Sequence, residues 1–150
     1  MKIIIDRPPN FKDIVSVFPM ASNKGVIFAF NNTIYNPSNI IITPELMAHE
    51  RVHCARQGNE ANTLEWWNSY LNDPDFRYYE ELLAHSQEYM TLADNASNRN
   101  QKRSALKSVA NKLASPLYGR MVSPKQAGKQ IFNRAVDMIE ADMIKERLYK

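Results

Sequence analysis

Two histidines and a glutamate in the middle of the chain have types and spacing that suit a catalytic metal ion. His49, Glu50 and His53 form the pattern His-Glu-x-x-His. Residues four apart on a helix are rotated by only about 40°, so both imidazoles can reach one Zn²⁺. Glu50 then lies on the adjoining face, where its carboxylate can accept a proton from water. The pattern predicts a zinc site with Glu50 as the general base.

The residues around this motif predict the helix that must hold it. Thr43 suits the N-cap, Pro44 suits the first helical position, and the helix should end at Arg56 or Gln57, before Gly58. The alternative is a pair of surface histidines beside a solvated glutamate. Apolar neighbours instead indicate a buried helix, and a buried His-Glu-His cluster needs polar partners. These neighbours are Leu46, Met47, Ala48, Val52, Cys54 and Ala55.

A third protein ligand is needed, because two histidines alone would leave zinc under-coordinated. A long helix predicted over residues 74–93 is the place to look for it. Its candidate ligands are Glu80, Glu81, His85 and Glu88. Glu81 shares a helix face with His85 and Glu88, whereas Glu80 lies nearer the apolar stripe. This spacing favours Glu81 as the third ligand.

Length and composition fit one domain. The chain has 150 residues and is 44% hydrophobic, which is enough for a core without covalent cross-links. Cys54 is the sole cysteine, so an intramolecular disulfide is excluded. No apolar run approaches the ~18 residues of a membrane span, and the apolar stretch within residues 1–6 is too short for a signal peptide. We therefore expect no membrane association and no signal-directed export.

Charge is distributed unevenly along the chain. Residues 1–94 carry seven Lys/Arg and twelve Asp/Glu, whereas residues 95–136 carry nine Lys/Arg and no acidic residue. This basic block could neutralise nucleic-acid phosphates, or it could cover the acidic half of the same molecule or of a partner. A solvated or intramolecular role is favoured, with nucleic acid as the lesser alternative.

Strand and helix patterns together predict an α+β fold. A small N-terminal sheet or hairpin would pack on a mainly helical domain with the His-Glu-x-x-His helix at its centre. Residues 10–17 fit a helical turn or a strand. The predicted strands cover residues 2–6, 26–30 and 33–35, and the predicted helices cover 44–57, 60–71, 74–93, 104–113 and 124–148. The last helix is expected to turn Ile131, Ala135, Met138, Ile139 and Leu148 toward the core.

The motifs resemble those of the gluzincin metallopeptidases. His49-Glu50-Arg51-Val52-His53 is followed by a helix in which Glu81, Ala84 and Glu88 match the pattern Glu-Gly-Phe-Ala-x-Tyr-x-Glu. The chain is also similar to small zinc-peptidase-like proteins encoded by bacteriophages, in residues 49–57, in the Trp-rich connector and in Leu117-Tyr118-Gly119. The resemblance implies a zincin-like domain with His49, His53 and Glu81 as zinc ligands and Glu50 as base.

The chain departs from the gluzincin pattern at two points. Arg51 places a charge at a variable position of the motif that is usually uncharged, and 27 residues separate His53 from Glu81. The expected organisation is nevertheless a single zincin-like domain over residues 1–150. Its β-rich N-terminal part would be 1–42, the zinc-site helices 43–93, and the basic helical part 94–150.

These observations lead to a zinc-dependent metallohydrolase, most simply a peptidase, as the predicted function. Zn²⁺ is the cofactor, Glu50 and His85 are the catalytic residues, and Tyr78 or Tyr89 could replace His85 as the donor to the oxyanion. The expected partner is a protein or peptide substrate, including a peptidoglycan peptide, and the expected location is the host cytoplasm or a phage virion. The alternatives are a non-enzymatic phage assembly protein that binds virion proteins, and a nucleic-acid-binding module.

Overall fold

Six α-helices and three short strands succeed one another in the computed structural model, which describes residues 1–148. The α+β fold is therefore confirmed. Two single-turn 3₁₀ helices, Pro19–Ser22 and Pro116–Tyr118, lie in the connections. The elements are β1 (Lys2–Ile4), α1 (Phe11–Val17), β2 (Phe28–Phe30), β3 (Thr33–Tyr35), α2 (Pro44–Gln57), α3 (Glu60–Asn72), α4 (Pro74–Asp94), α5 (Arg99–Leu113) and α6 (Pro124–Leu148).

The three strands form one small sheet in the order β1-β3-β2. β1 runs parallel to β3, and β2 runs antiparallel to it. Asn31 and Asn32 make the predicted hairpin turn, with φ angles of 46° and 58°. Both angles are positive, as a type I′ turn requires, and asparagine tolerates this conformation better than most residues. Residues 10–17 resolve as helix α1, so the part predicted to be β-rich is in fact mixed.

Helix α2 has the predicted ends. The Thr43 hydroxyl accepts a hydrogen bond from the Leu46 backbone N–H at 3.4 Å, which caps the first turn. Gly58 follows the last turn with a φ of 68°, and its N–H donates to the carbonyl of Cys54. Because a side chain is strained at that φ, glycine is the residue that ends the helix at the lowest cost.

Two apolar clusters flank the contact between α2 and α4. One joins α1, β2 and α3 through Ile14, Phe28, Trp66, Trp67 and Tyr70, and the other joins α4, α5 and α6. Between them, the facing surfaces of α2 and α4 are buried but polar. Buried polar groups must satisfy one another. The candidate ligands therefore lie on the buried polar surfaces of α2 and α4, close to these apolar clusters.

The last helix differs from its expected packing. Ile131 and Ala135 are buried as predicted, but Ile139 and Leu148 are 48% and 74% exposed. Every residue from 139 to 148 is exposed, because this part of α6 extends beyond its contacts with α4 and α5. Helix α5 also begins five residues before the predicted start. Among residues 1–148, no helix combines the length and apolar character needed to cross a bilayer.

Gln57 joins helix α2 to the sheet. Its amide nitrogen donates to the carbonyl of Ala29 at 2.9 Å, and its amide oxygen accepts from the N–H of Asn31 at 3.1 Å. We expect Gln57→Ala to lower the free energy of unfolding by about 1–3 kcal/mol, because it leaves the N–H of Asn31 without its acceptor and removes one of the two side-chain donors to the Ala29 carbonyl. Urea denaturation with a chelator present measures this. Gln126→Ala, at an exposed glutamine, should change stability by less than about 0.5 kcal/mol.

Candidate metal centre

His49 and His53 lie one turn apart on the buried face of α2, as the motif predicts. Their Nε2 atoms are 3.2 Å apart. The His53 ring packs edge-on against Trp66 of α3, with ring centroids 5.4 Å apart, which fixes its orientation. The two imidazoles therefore point their Nε2 atoms at one place between α2 and α4.

Glu81 of α4 meets both histidines there. Its Oε1 is 3.2 Å from Nε2 of His53, and its Oε2 is 3.4 Å from Nε2 of His49. A tetrahedral zinc ion with bonds of about 2.0–2.1 Å holds its ligand atoms roughly 3.3–3.4 Å apart. Each of these imidazole nitrogens therefore lies at the spacing of neighbouring zinc ligands from the other and from one oxygen of the Glu81 carboxylate. Oε2 of Glu81 is buried without a hydrogen-bond donor, which also suits a cation.

Two further side chains orient these candidate ligands. Nδ1 of His49 lies 3.0 Å from Oε2 of Glu88, so its proton is donated to that carboxylate and its Nε2 is left to face Glu81. Lys112 of α5 pairs with the other oxygen of Glu88. The hydroxyl of Tyr70 donates to Oε1 of Glu81 at 2.6 Å. Carboxylate partners of this kind fix the tautomer and ring position of metal-binding histidines.

His85 provides a different third ligand on geometric grounds. Ligand atoms of His49, Glu81 and His85 all lie within 4.8 Å of one another, and Nε2 of His85 is buried without a partner. However, Nδ1 of His85 lies 2.7 Å from the backbone carbonyl of Glu81 and donates its proton there. Nε2 of His53 lies 3.2 Å from both Nε2 of His49 and Oε1 of Glu81, whereas the free Nε2 of His85 has no partner at hydrogen-bond distance, so His53 is the candidate ligand we favour.

Glu80 is turned away from this centre. Its carboxylate accepts hydrogen bonds from the guanidinium of Arg56, including one at 2.9 Å from Nη2. Glu80 is buried nonetheless, which makes it a natural comparison for Glu81 and Glu88. The choice of Glu81 over Glu80 therefore agrees with the side-chain positions.

The charges of the centre attract a cation. Burial alone would lower the pKa of His49, but hydrogen bonds with Glu81 and Glu88 outweigh it and raise that pKa to about 10. Burial likewise opposes ionisation of Glu81, yet the charge of His53 and the close approach of the other two histidines hold its pKa well below the usual range. The carboxylates thus stay ionised and draw positive charge into the site. A divalent cation could replace the proton that they hold on histidine.

Glu50 lies beside the three candidate ligands without joining them. It borders a cavity of about 70 Å³ whose other walls are largely apolar, including Phe18, Trp66 and Leu117. It also borders a more open groove of about 310 Å³ that runs past Lys112 and Ser115. Among the described residues, no hydrogen-bond donor lies on its carboxylate, and burial raises its pKa. Glu50 is therefore placed to meet a water or substrate that enters the groove.

Tyr118 borders the same cavity and groove, and the sequence reasoning missed its role. Its ring packs edge-on against His85 at 5.3 Å. Burial first, and then the charges of nearby carboxylates, raise its pKa well above the usual value, so the hydroxyl keeps its proton. Tyr78 instead donates to Gln130, and Tyr89 packs in the cluster of α4, α5 and α6. Of Tyr78, Tyr89 and Tyr118, Tyr118 is therefore the one whose hydroxyl could donate to a group in the site.

His85 is poorly suited to the donor role predicted for it. Because Nδ1 donates to the carbonyl of Glu81, the remaining nitrogen, Nε2, is an acceptor in the neutral ring. Burial, followed by the charge of His49, lowers the pKa of His85 and keeps the ring neutral. The only signal for Tyr118 in the sequence was the Leu117-Tyr118-Gly119 similarity, which carried no assigned role.

Comparison with known proteins gives no family for this chain: no protein-family model, curated protein or solved structure matches it.

Proposed function

We propose that this protein is a zinc-dependent hydrolase of the gluzincin type, acting on peptide bonds. The observation that carries the proposal is the set of distances among Nε2 of His49, Nε2 of His53 and the carboxylate of Glu81, 3.2–3.4 Å. Glu50 adjoins this set and borders an open groove. A site kept only for stability would have little use for an unpaired buried carboxylate.

Different residues of the chain would bind the metal, act as the general base and donate a hydrogen bond during hydrolysis. Zinc on the three ligands would supply Lewis-acid chemistry, making a water nucleophilic near neutral pH and polarising the scissile carbonyl. Glu50 accepts the proton of the attacking water and returns it to the leaving amine. The Tyr118 hydroxyl donates a hydrogen bond to the oxygen that becomes negatively charged.

A peptide substrate could pair with the part of the β2 edge that borders the groove, but not with the whole edge. Val26 and Ile27, just before β2, border the groove, and an extended peptide can pair with backbone at such an edge. Further along, the Ala29 carbonyl already accepts from Gln57 and from the indole N–H of Trp67 at 3.1 Å. Pairing is therefore limited to the segment next to Glu50.

Metal analysis with a parallel hydrolysis screen tests the proposal. We expect about one zinc per chain after purification without chelator, and cleavage of unstructured protein or peptidoglycan peptides that stops on chelation. Protein that binds no zinc after reconstitution contradicts the proposal outright. Stoichiometric zinc with no cleavage of any peptide class would favour the non-enzymatic assembly protein.

Removing the charge of Glu88, a buried carboxylate that orients His49 without binding zinc itself, should weaken zinc affinity only in part. We expect Glu88→Gln to weaken zinc binding by about 10- to 100-fold, because His49 loses its charged partner while keeping its own bond to the metal. Competition with a chromogenic chelator measures the change. Glu80→Gln, on the same helix and equally buried, should leave the affinity within about threefold of wild type. An equal loss in both variants would show that general helix disruption, and not ligand orientation, was measured.

Nucleic-acid binding is a second candidate, favoured by the position of the basic block. Arg103 and Lys107 of α5 face Lys125 and Lys129 of α6 across a groove of about 430 Å³, and none of the four has a carboxylate within 4.0 Å among residues 1–148. Phosphates would find a continuous positive surface there. Salt-sensitive DNA binding that disappears when Arg103 and Lys107 are changed to glutamine would identify this activity, separately from the metal centre.

A further inference from the structure

The distal part of α6 presents apolar side chains that no described part of the chain covers. Phe132, Ile139 and Met143 are 48%, 48% and 50% exposed, and residues 139–148 contact none of the other helices closely enough to be buried. A helical segment without tertiary packing is only marginally stable in water. This segment therefore lacks the packing that normally holds an amphipathic helix.

The exposed stripe has the spacing of a coiled-coil seam. Its six positions are separated alternately by three and four residues, the repeat that keeps one seam facing a partner helix. The four central positions are apolar and the two outer ones are charged. They are Lys129, Phe132, Val136, Ile139, Met143 and Glu146.

The seam is also self-complementary when a second copy runs antiparallel. With the two-fold axis between Val136 and Ile139, Val136 of one copy faces Ile139 of the other, and the reverse. Phe132 then faces Met143, and the outer Lys129 faces Glu146. A two-fold interface makes every contact twice, so both ends are closed by opposite charges. A parallel pair would instead set lysine against lysine and glutamate against glutamate.

From this register we propose that α6 is the interface of an antiparallel homodimer, with a second copy of the chain as its occupant. The core-facing residues Ile131 and Ala135 are buried on an adjoining face of the helix, so docking leaves their packing on α4 and α5 intact. Six seam positions are fewer than the 20–30 residues a side of a standard interface. We therefore expect a weak, reversible dimer that dissociates in the micromolar range. This inference does not depend on the metal centre.

Sedimentation equilibrium of the full chain tests the interface and its direction. Wild type should show a reversible monomer–dimer equilibrium. Lys129→Glu and Glu146→Lys should each weaken association by about tenfold, since each places two like-charge pairs in the dimer. The double variant restores opposite charges and should return to within about threefold of wild type. Ile139→Glu, which buries a charge at the centre, should abolish dimerisation.

Ile144 provides the matched control, because it is 56% exposed on the same helix but lies outside the seam. Ile144→Glu should dimerise like wild type. All of these positions are exposed, so circular dichroism should show the fold unchanged. A wild type that stays monomeric throughout the micromolar range overturns the proposal. Binding of a different protein to the α6 stripe, in place of a second copy, would overturn it too. Single charge reversals that leave association unchanged would overturn the antiparallel register.

Discussion

His53→Ala will release the bound zinc, whereas His85→Ala will retain it. Both histidines are buried within reach of Glu81, and His49, Glu81 and His85 form a geometrically acceptable ligand group. The two sets differ in how close the free nitrogen of the third residue comes to the others. Nε2 of His53 lies 3.2 Å from Nε2 of His49 and 3.2 Å from Oε1 of Glu81. Nε2 of His85 is also free, because Nδ1 donates to the carbonyl of Glu81, but it has no partner at hydrogen-bond distance.

The expected difference is large. Losing one of three protein ligands should reduce zinc affinity by roughly 3 kcal/mol or more, which is over a hundredfold. His85→Ala should change it by about tenfold, at the low end of the 10- to 100-fold range for residues that contact a ligand, since His85 contacts Glu81 but would donate no electron pair to the metal. Chelator competition on both variants, with circular dichroism to verify folding, provides the measurement. Release of zinc by His85→Ala but not by His53→Ala would replace our ligand set with His49, Glu81 and His85.

The ends of helix α2 were predictable because their signals are local. The Thr43 cap, the proline after it and Gly58 each act within one turn, and the histidine spacing acts within the helix they delimit. The face that Glu81 shares with His85 and Glu88 was predictable for a related reason, since it follows from helical periodicity alone. Where a residue lies on its own helix can therefore be read from the sequence.

The remaining parts of the site depend on contacts between elements distant in sequence. Tyr118 reaches the site from a 3₁₀ turn after α5, and Glu88 becomes a partner of His49 only because α2 and α4 pack side by side. The donor role was predicted for His85 without knowledge of the Glu81 carbonyl, which accepts a hydrogen bond from Nδ1 of His85. Apolar periodicity also could not predict that α6 extends beyond its contacts with α4 and α5. A helix facing solvent or a second copy shows the same period as one facing a core.

Glu50→Gln should separate catalysis from metal binding. The amide has nearly the shape of the carboxylate but cannot accept the proton of the attacking water, so we expect peptide hydrolysis to fall by about 10²- to 10⁴-fold. Zinc content should stay the same, because Glu50 lies outside the group of ligand atoms. Glu45→Gln, at the start of the same helix, should keep wild-type activity.

Stability should move in the opposite direction from activity in this variant. Burial raises the pKa of Glu50 in the folded chain, so its ionised form is disfavoured there relative to the unfolded chain. That penalty is absent below the unfolded pKa and appears as the pH rises above it, so at neutral pH the charge destabilises the metal-free protein. Replacing it with a neutral amide should leave the thermal midpoint of the metal-free protein unchanged or raised. A variant that is stable and loaded with zinc, yet still hydrolyses peptides at the wild-type rate, would remove Glu50 from the mechanism and leave the zinc site without its base.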